Sequence, residues 1–80
     1  MPLNLEGLTK GERFIVEWQF NRLGSFYAGL AELIFRADPD NFEKLGQGFP
    51  EEALGMFLFK NNRDWWAKTC VKAGVDNEAL

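Results

Sequence analysis

Apolar positions recur along the first half of the chain with a helical rhythm. Val16, Phe20, Leu23, Tyr27, Leu30 and Ile34 are spaced 4, 3, 4, 3, 4, which lays them along one face of an α-helix. A second stripe, Phe26, Leu30, Leu33 and Ala37, overlaps the later half. Ahead of the run stands "TKGE", a capping box: Thr9 accepts from the backbone N–H of Glu12, and Glu12 reaches back to Thr9. The pattern predicts helix over 10–37. "LGS" at 23–25 leaves two readings open. Either Gly24 ends one helix and Ser25 caps the next, or a long first helix runs on with a kink near Gly24.

Further along, the start signals are prolines. Asp38 and Pro39 make an N-cap and first-position pair, predicting a short helix over about 39–45 with Phe42 and Leu45 inward. "GQGF" reads as loop. Pro50 opens the next helix, with Glu51 and Glu52 favourable near its positive end. Its inward stripe reads as Leu54, Phe57 and Leu58, with Met56 and Phe59 at the margins. "KNNRD" closes it, and Asp64 is expected to cap a last helix ending near Gly74. Residues 1–9 read as an extended lead-in whose Leu3, Leu5 and Leu8 pack on the body, and 75–80 as a frayed tail. No stretch needs a β-strand. The expected fold is all-α, a single-domain bundle of four to five helices over residues 1–80.

Size and composition set how such a bundle is held. Eighty residues with one cysteine cannot form an intrachain disulfide, so packing alone must hold a domain near the lower size limit. Eight Phe, three Trp and one Tyr supply large buried areas per residue. No run approaches the roughly 20 apolar residues that span a bilayer, and "MPLNLEGLTKGER" has no secretory signal pattern. A reducing cytoplasm, with no membrane partner, is the expected setting. Twelve carboxylates against nine Lys and Arg leave a net charge of −3. That weighs against a general nucleic-acid binder, which needs clustered positive charge.

Candidate chemistry is sparse. The chain has no histidine, the commonest general base and metal ligand. Cys70 has no imidazole to activate it and reads as a structural core thiol. "DPDNFE" lacks the glycine and ligand spacing of an EF-hand, and neither "LGQGF" nor "LGSFYAG" continues into a phosphate-binding loop. The expectation is a protein that is not an enzyme, with no cofactor and no metal.

Three surfaces remain as binding candidates. Trp66, Cys70 and Ala73 share one helical face, so Trp66 is the expected core ring. Trp65 falls beside Lys68, Thr69 and Lys72. It either folds back over Phe57 or Leu58 to close the bundle or anchors a partner, since exposed Trp and Arg dominate interface energetics. Lys60, Arg63, Lys68 and Lys72 surround it, either as a solvated face or as a basic strip for nucleic acid. Asp38, Asp40, Glu43, Glu51 and Glu52, against Lys44 alone, form an acidic segment that two helix N-termini explain by themselves and that also suits a basic groove. Third, Phe14 and Trp18 lean away from Val16 and Phe20. A helix apolar on more than one face is central or paired with another chain, which makes a homodimer a further expectation.

The string "LTKGERFIVEWQFNRLGSFYAGLAELIFRAD", with "GFPEE" and "WW" downstream, resembles small open reading frames of phage and prophage genomes. The resemblance implies a mobile-element origin and a protein that acts by contact, such as an inhibitor of a host defence or host enzyme complex. The leading expectation is therefore a protein–protein interaction module whose partner is a host or phage protein. Trp65, Arg63, Lys68 and Lys72 form one contact surface, and Asp40, Glu43, Glu51 and Glu52 the other. A nucleic-acid-binding accessory protein using residues 60–72 and a structural homo-oligomer are the alternatives.

Overall fold

The computed structural model describes residues 3–75, which form five helices and no strand. They are α1 (Lys10–Gln19), α2 (Ser25–Arg36), α3 (Pro39–Gly48), α4 (Pro50–Asn61) and α5 (Arg63–Lys72). The all-α architecture is as the sequence predicts. The expected tail lies outside the described residues except for Val75.

Local start signals act where they were read. The Glu12 backbone N–H donates to Thr9 Oγ1 at 3.2 Å, and the Thr9 N–H donates to Glu12 Oε1 at 2.9 Å, which completes the capping box of α1. Asp38 accepts the Asn41 N–H at 2.8 Å ahead of Pro39. One helix end and one helix start differ from expectation. α3 runs through both glycines of "GQGF" to Gly48 and breaks only at Phe49, because Phe49 precedes Pro50 and is driven out of the α region. α5 is capped by Asn62, whose Oδ1 accepts the Trp65 N–H at 3.0 Å. Asp64 lies inside the helix and pairs with Lys68 at 3.0 Å.

The long or kinked first helix over 10–37 is not found. α1 stops at Gln19, and Asn21 adopts the left-handed conformation with φ 57°. Its N–H donates to the Trp18 carbonyl at 3.2 Å, and the Arg22 N–H donates to the Glu17 carbonyl at 2.7 Å. These two bonds make a Schellman stop, for which asparagine is the usual substitute for glycine. Gly24 then occupies the N-cap position of α2 with no side-chain cap. The same motif ends α5. Gly74 has φ 78°, its N–H donates to Val71, and the Val75 N–H donates to Cys70 at 2.8 Å.

α4 lies at the centre and touches each of the other four helices. Its contact with α1 is backbone to backbone. A Cβ on Gly55 would lie 2.7 Å from the Gly11 carbonyl oxygen, and one on Gly11 would lie 2.7 Å from that of Glu51. This contact fixes the rotation of α4 about its own axis and reverses the expected stripe. Met56 is fully buried and Phe59 packs on the core, whereas Leu54 and Phe57 are 59% and 52% exposed.

Around that crossing, Phe14, Ile15, Leu30, Ala31, Ile34 and Met56 form the core. The apolar wrap of α1 is satisfied within the chain: Phe14, Ile15 and Val16 are all buried. Trp18 meets Phe35 of α2 at 5.5 Å and Phe59 of α4 at 5.6 Å, and Phe59 meets Trp66 edge-on at 5.2 Å. Aromatic rings thus link α2, α1, α4 and α5. The lead-in is tied down by the Asn4 N–H, which donates to the Ala73 carbonyl at 3.0 Å.

The glycine crossing makes a paired prediction. Gly55→Ala should destabilise the protein by about 1–3 kcal/mol through overpacking, in spite of alanine's better helix propensity. Gly29→Ala in α2, where a Cβ meets nothing within 4 Å, should stabilise it by about 0.4–1 kcal/mol. Urea denaturation of both variants measures the contrast.

Candidate interaction surface

Several charged residues singled out by sequence turn out to be partners of one another or of the helix framework. Lys72 Nζ lies 3.0 Å from Glu12 Oε2, so this basic residue pins α5 to the start of α1. Lys68 pairs with Asp64 on the exposed side of α5. Lys60 donates to the Phe35 carbonyl at 2.9 Å and sits over the Phe35 ring, 5.1 Å from its centroid. Of the four cations expected to surround Trp65, Lys60 and Arg63 have no ion-pair partner among the described residues, and Lys60 is engaged by Phe35 instead.

The acidic segment also divides. Glu52 turns inward to 2% exposure, with Lys10 at 3.6 Å. Asp40 and Glu43 stay exposed on α3, and Glu51 stays exposed at the start of α4. Helical spacing explains the split, because Glu51 and Glu52 differ by roughly 100° around the axis and Gly55 brings the Glu52 side against α1.

The structure brings together two residues that the sequence assigned to different surfaces. Trp65 and Glu51 line one notch of about 200 Å³ with Leu54, Leu58 and the two crossing glycines. Both crossing glycines contribute backbone to its wall beside the α1–α4 contact. Trp65 is half-buried, packs on the core and lies 6.5 Å from the Trp66 ring. It therefore closes the bundle with one face and borders the notch with the remainder.

Next to the notch, Leu54 and Phe57 extend an apolar strip along the outward side of α4. Sequence reasoning placed these residues inside. A signal was nevertheless present: "ALGMFLF" leaves α4 no polar face over its central turns, the pattern of a helix covered on all sides. A second hollow of about 610 Å³ lies between α2 and α3, with Leu33 and Leu45 flanked by Arg36 and Lys44. At another corner, Phe26, Tyr27 and Phe49 form a mutual ring cluster with centroids 5.2 to 6.4 Å apart.

Groups with chemical potential are few. Burial pushes the Cys70 thiol up, and the side chain is fully enclosed. Among the described residues no group of three or more His, Cys, Asp or Glu side chains is placed to hold a metal ion. No helix among them is long and apolar enough to cross a membrane. Comparison of the chain with protein-family models, with curated proteins and with solved structures finds no match.

Glu12 carries the clearest electrostatic signature. Burial pushes its carboxyl up, but the Thr9 backbone N–H and the Lys72 ammonium outweigh that effect and hold it below its ordinary value. A carboxyl depressed by folding stabilises the native state above its unfolded pKa and loses that contribution as pH falls through the folded value. The urea midpoint should therefore drop on acidification below the ordinary carboxylate range, with a smaller drop in Glu12→Gln. Lys72→Met should cost about 1 kcal/mol at neutral pH, since its half-exposed ammonium is screened.

Proposed function

We propose that the chain is a non-enzymatic protein-binding module that works through the outward face of α4, with Trp65 and Glu51 at its edge. One observation carries this reading. α4 touches every other helix of the bundle and still leaves Leu54 and Phe57 more than half exposed. A small domain short of apolar area gains by burying such side chains in its own core. A contiguous exposed apolar strip, bordered by a tryptophan and rimmed by a charge, has the make-up of an interface centre. The resemblance to phage reading frames makes obstruction of a host defence or host enzyme complex the specific form of that activity.

Nucleic acid is the weaker reading. Lys72 and Lys68 each face a carboxylate, and Lys60 is held by the Phe35 carbonyl and ring. That leaves Arg63 alone in residues 60–72 to meet a phosphate row, while counterion-release affinity needs several cations.

Affinity capture from nuclease-treated and untreated lysate, with the wild type and Leu54→Glu/Phe57→Glu as parallel baits, tests the reading. A protein retained after nuclease treatment and lost with the double variant is the expected result. The exposed positions of both substitutions keep the fold intact, which circular dichroism checks. Trp65→Ala should weaken capture about tenfold or more, as for an interface-edge tryptophan. Equal capture by wild type and double variant overturns the assignment, and recovery that vanishes with nuclease transfers it to nucleic acid.

A further inference from the structure

The outward row of α4 runs Glu51, Leu54, Phe57, Leu58, Asn61. Glu51 is its one charged member, and it stands at the N-terminal end. Just past the C-terminal end comes Arg63, exposed and without an ion-pair partner among the described residues. Between these two charges the row is apolar, with Leu54 and Phe57 projecting. An isologous interface demands a surface that complements itself when reversed. This row meets that demand.

We propose that in the free protein the occupant of this face is a second copy of the chain, with the two α4 helices packed antiparallel and centred between Met56 and Phe57. This inference rests on the reading of the outward face of α4 as a contact surface. In that register Phe57 lies against Phe57 of the copy and Leu54 against Leu58. Glu51 comes beside the Asn62–Arg63 segment of the copy, and by symmetry the pairing occurs twice. The row from Glu51 to Asn61, about 15 Å along α4, is the length of the helical contact, and Arg63 at the start of α5 lies just beyond it. A parallel alignment would instead set Glu51 beside Glu51 and align the two helix dipoles, both unfavourable. The Gly11–Gly55 notch next to the row has room for a side chain of the copy. The exposed apolar area of three side chains is well below the roughly 800 Å² per partner of a stable interface, so the dimer forms with a Kd in the micromolar range or weaker.

Sedimentation velocity on the full chain, from roughly 5 µM to roughly 500 µM to bracket that weak range, reads the outcome. The mass should rise from the monomer value of 9.2 kDa toward the dimer. Leu54→Glu/Phe57→Glu should stay monomeric throughout. Glu51→Arg and Arg63→Glu should each weaken association about tenfold, because each reversal acts at two symmetry-related contacts. Both reversals in one chain should restore it, since every pair is then re-formed with opposite sign. Circular dichroism and thermal melts show that each variant remains folded.

A wild type at monomer mass over the whole range overturns the inference, as does a dimer indifferent to Leu54→Glu/Phe57→Glu. Failure of the double reversal to restore association overturns the antiparallel register. If the wild type is monomeric but captures a foreign protein that the double variant does not, the second copy is excluded while the contact reading stands. If neither association nor capture depends on Leu54 and Phe57, both fall.

Discussion

The backbone approach of α1 and α4 at Gly11 and Gly55 sets the positions of the other elements. Each glycine faces a carbonyl oxygen at a distance that no Cβ tolerates, so the two axes approach more closely than side chains would allow. Interior packing is dense enough that so tight a contact leaves little freedom to rotate either helix. Once Gly55 faces α1, Glu52, Met56 and Phe59 turn inward with it, and Leu54 and Phe57 turn outward. The exposed strip is therefore a consequence of the crossing. α4 cannot bury all its apolar residues while its backbone lies against α1.

That same crossing places charge in the interior. Glu12 and Glu52 are both buried, and each lies one residue from a glycine-facing contact of α1 or α4. Burying a carboxylate is costly without partners. Glu12 has the Thr9 N–H and the Lys72 ammonium, and Glu52 has Lys10. Both pairs join elements far apart in the chain, so charges that look like solvated helix faces in the sequence serve as clamps. Among the described residues near Trp65, Lys72 and Lys68 each face a carboxylate and Lys60 is held by Phe35.

The two tryptophans divide their work along the same lines. Trp66 joins the aromatic chain through Phe59. Trp65, one residue away, covers the core with part of its ring and borders the notch at the glycine crossing. Trp65 is thus half-buried, with one part of its ring on the core and the remainder at the notch. Its neighbour in the notch is Glu51, and the acidic residues Asp40 and Glu43 stay on α3, apart from it. The surface that results is mainly apolar with charge at its ends.

The sequence by itself determined the all-α class, the starts of α1, α3 and α4, and the absence of histidine. Those features depend on interactions within about four residues: the Thr9–Glu12 box, Asp38 before Pro39, and the exclusion of Phe49 from helix by Pro50. Asn21 carried a stop signal of the same local kind, but the continuous apolar spacing across 10–37 masked it. Only the tertiary structure decided which way each helix faces. α4 is apolar nearly all round, so its periodicity contains no preferred inward side. Its rotation is set by Gly11, far away in the chain, and with it the exposure of Phe57, the burial of Glu52 and the meeting of Trp65 with Glu51. Local backbone and capping energies are encoded residue by residue, whereas facing is a property of pairs of helices and arises only when they pack.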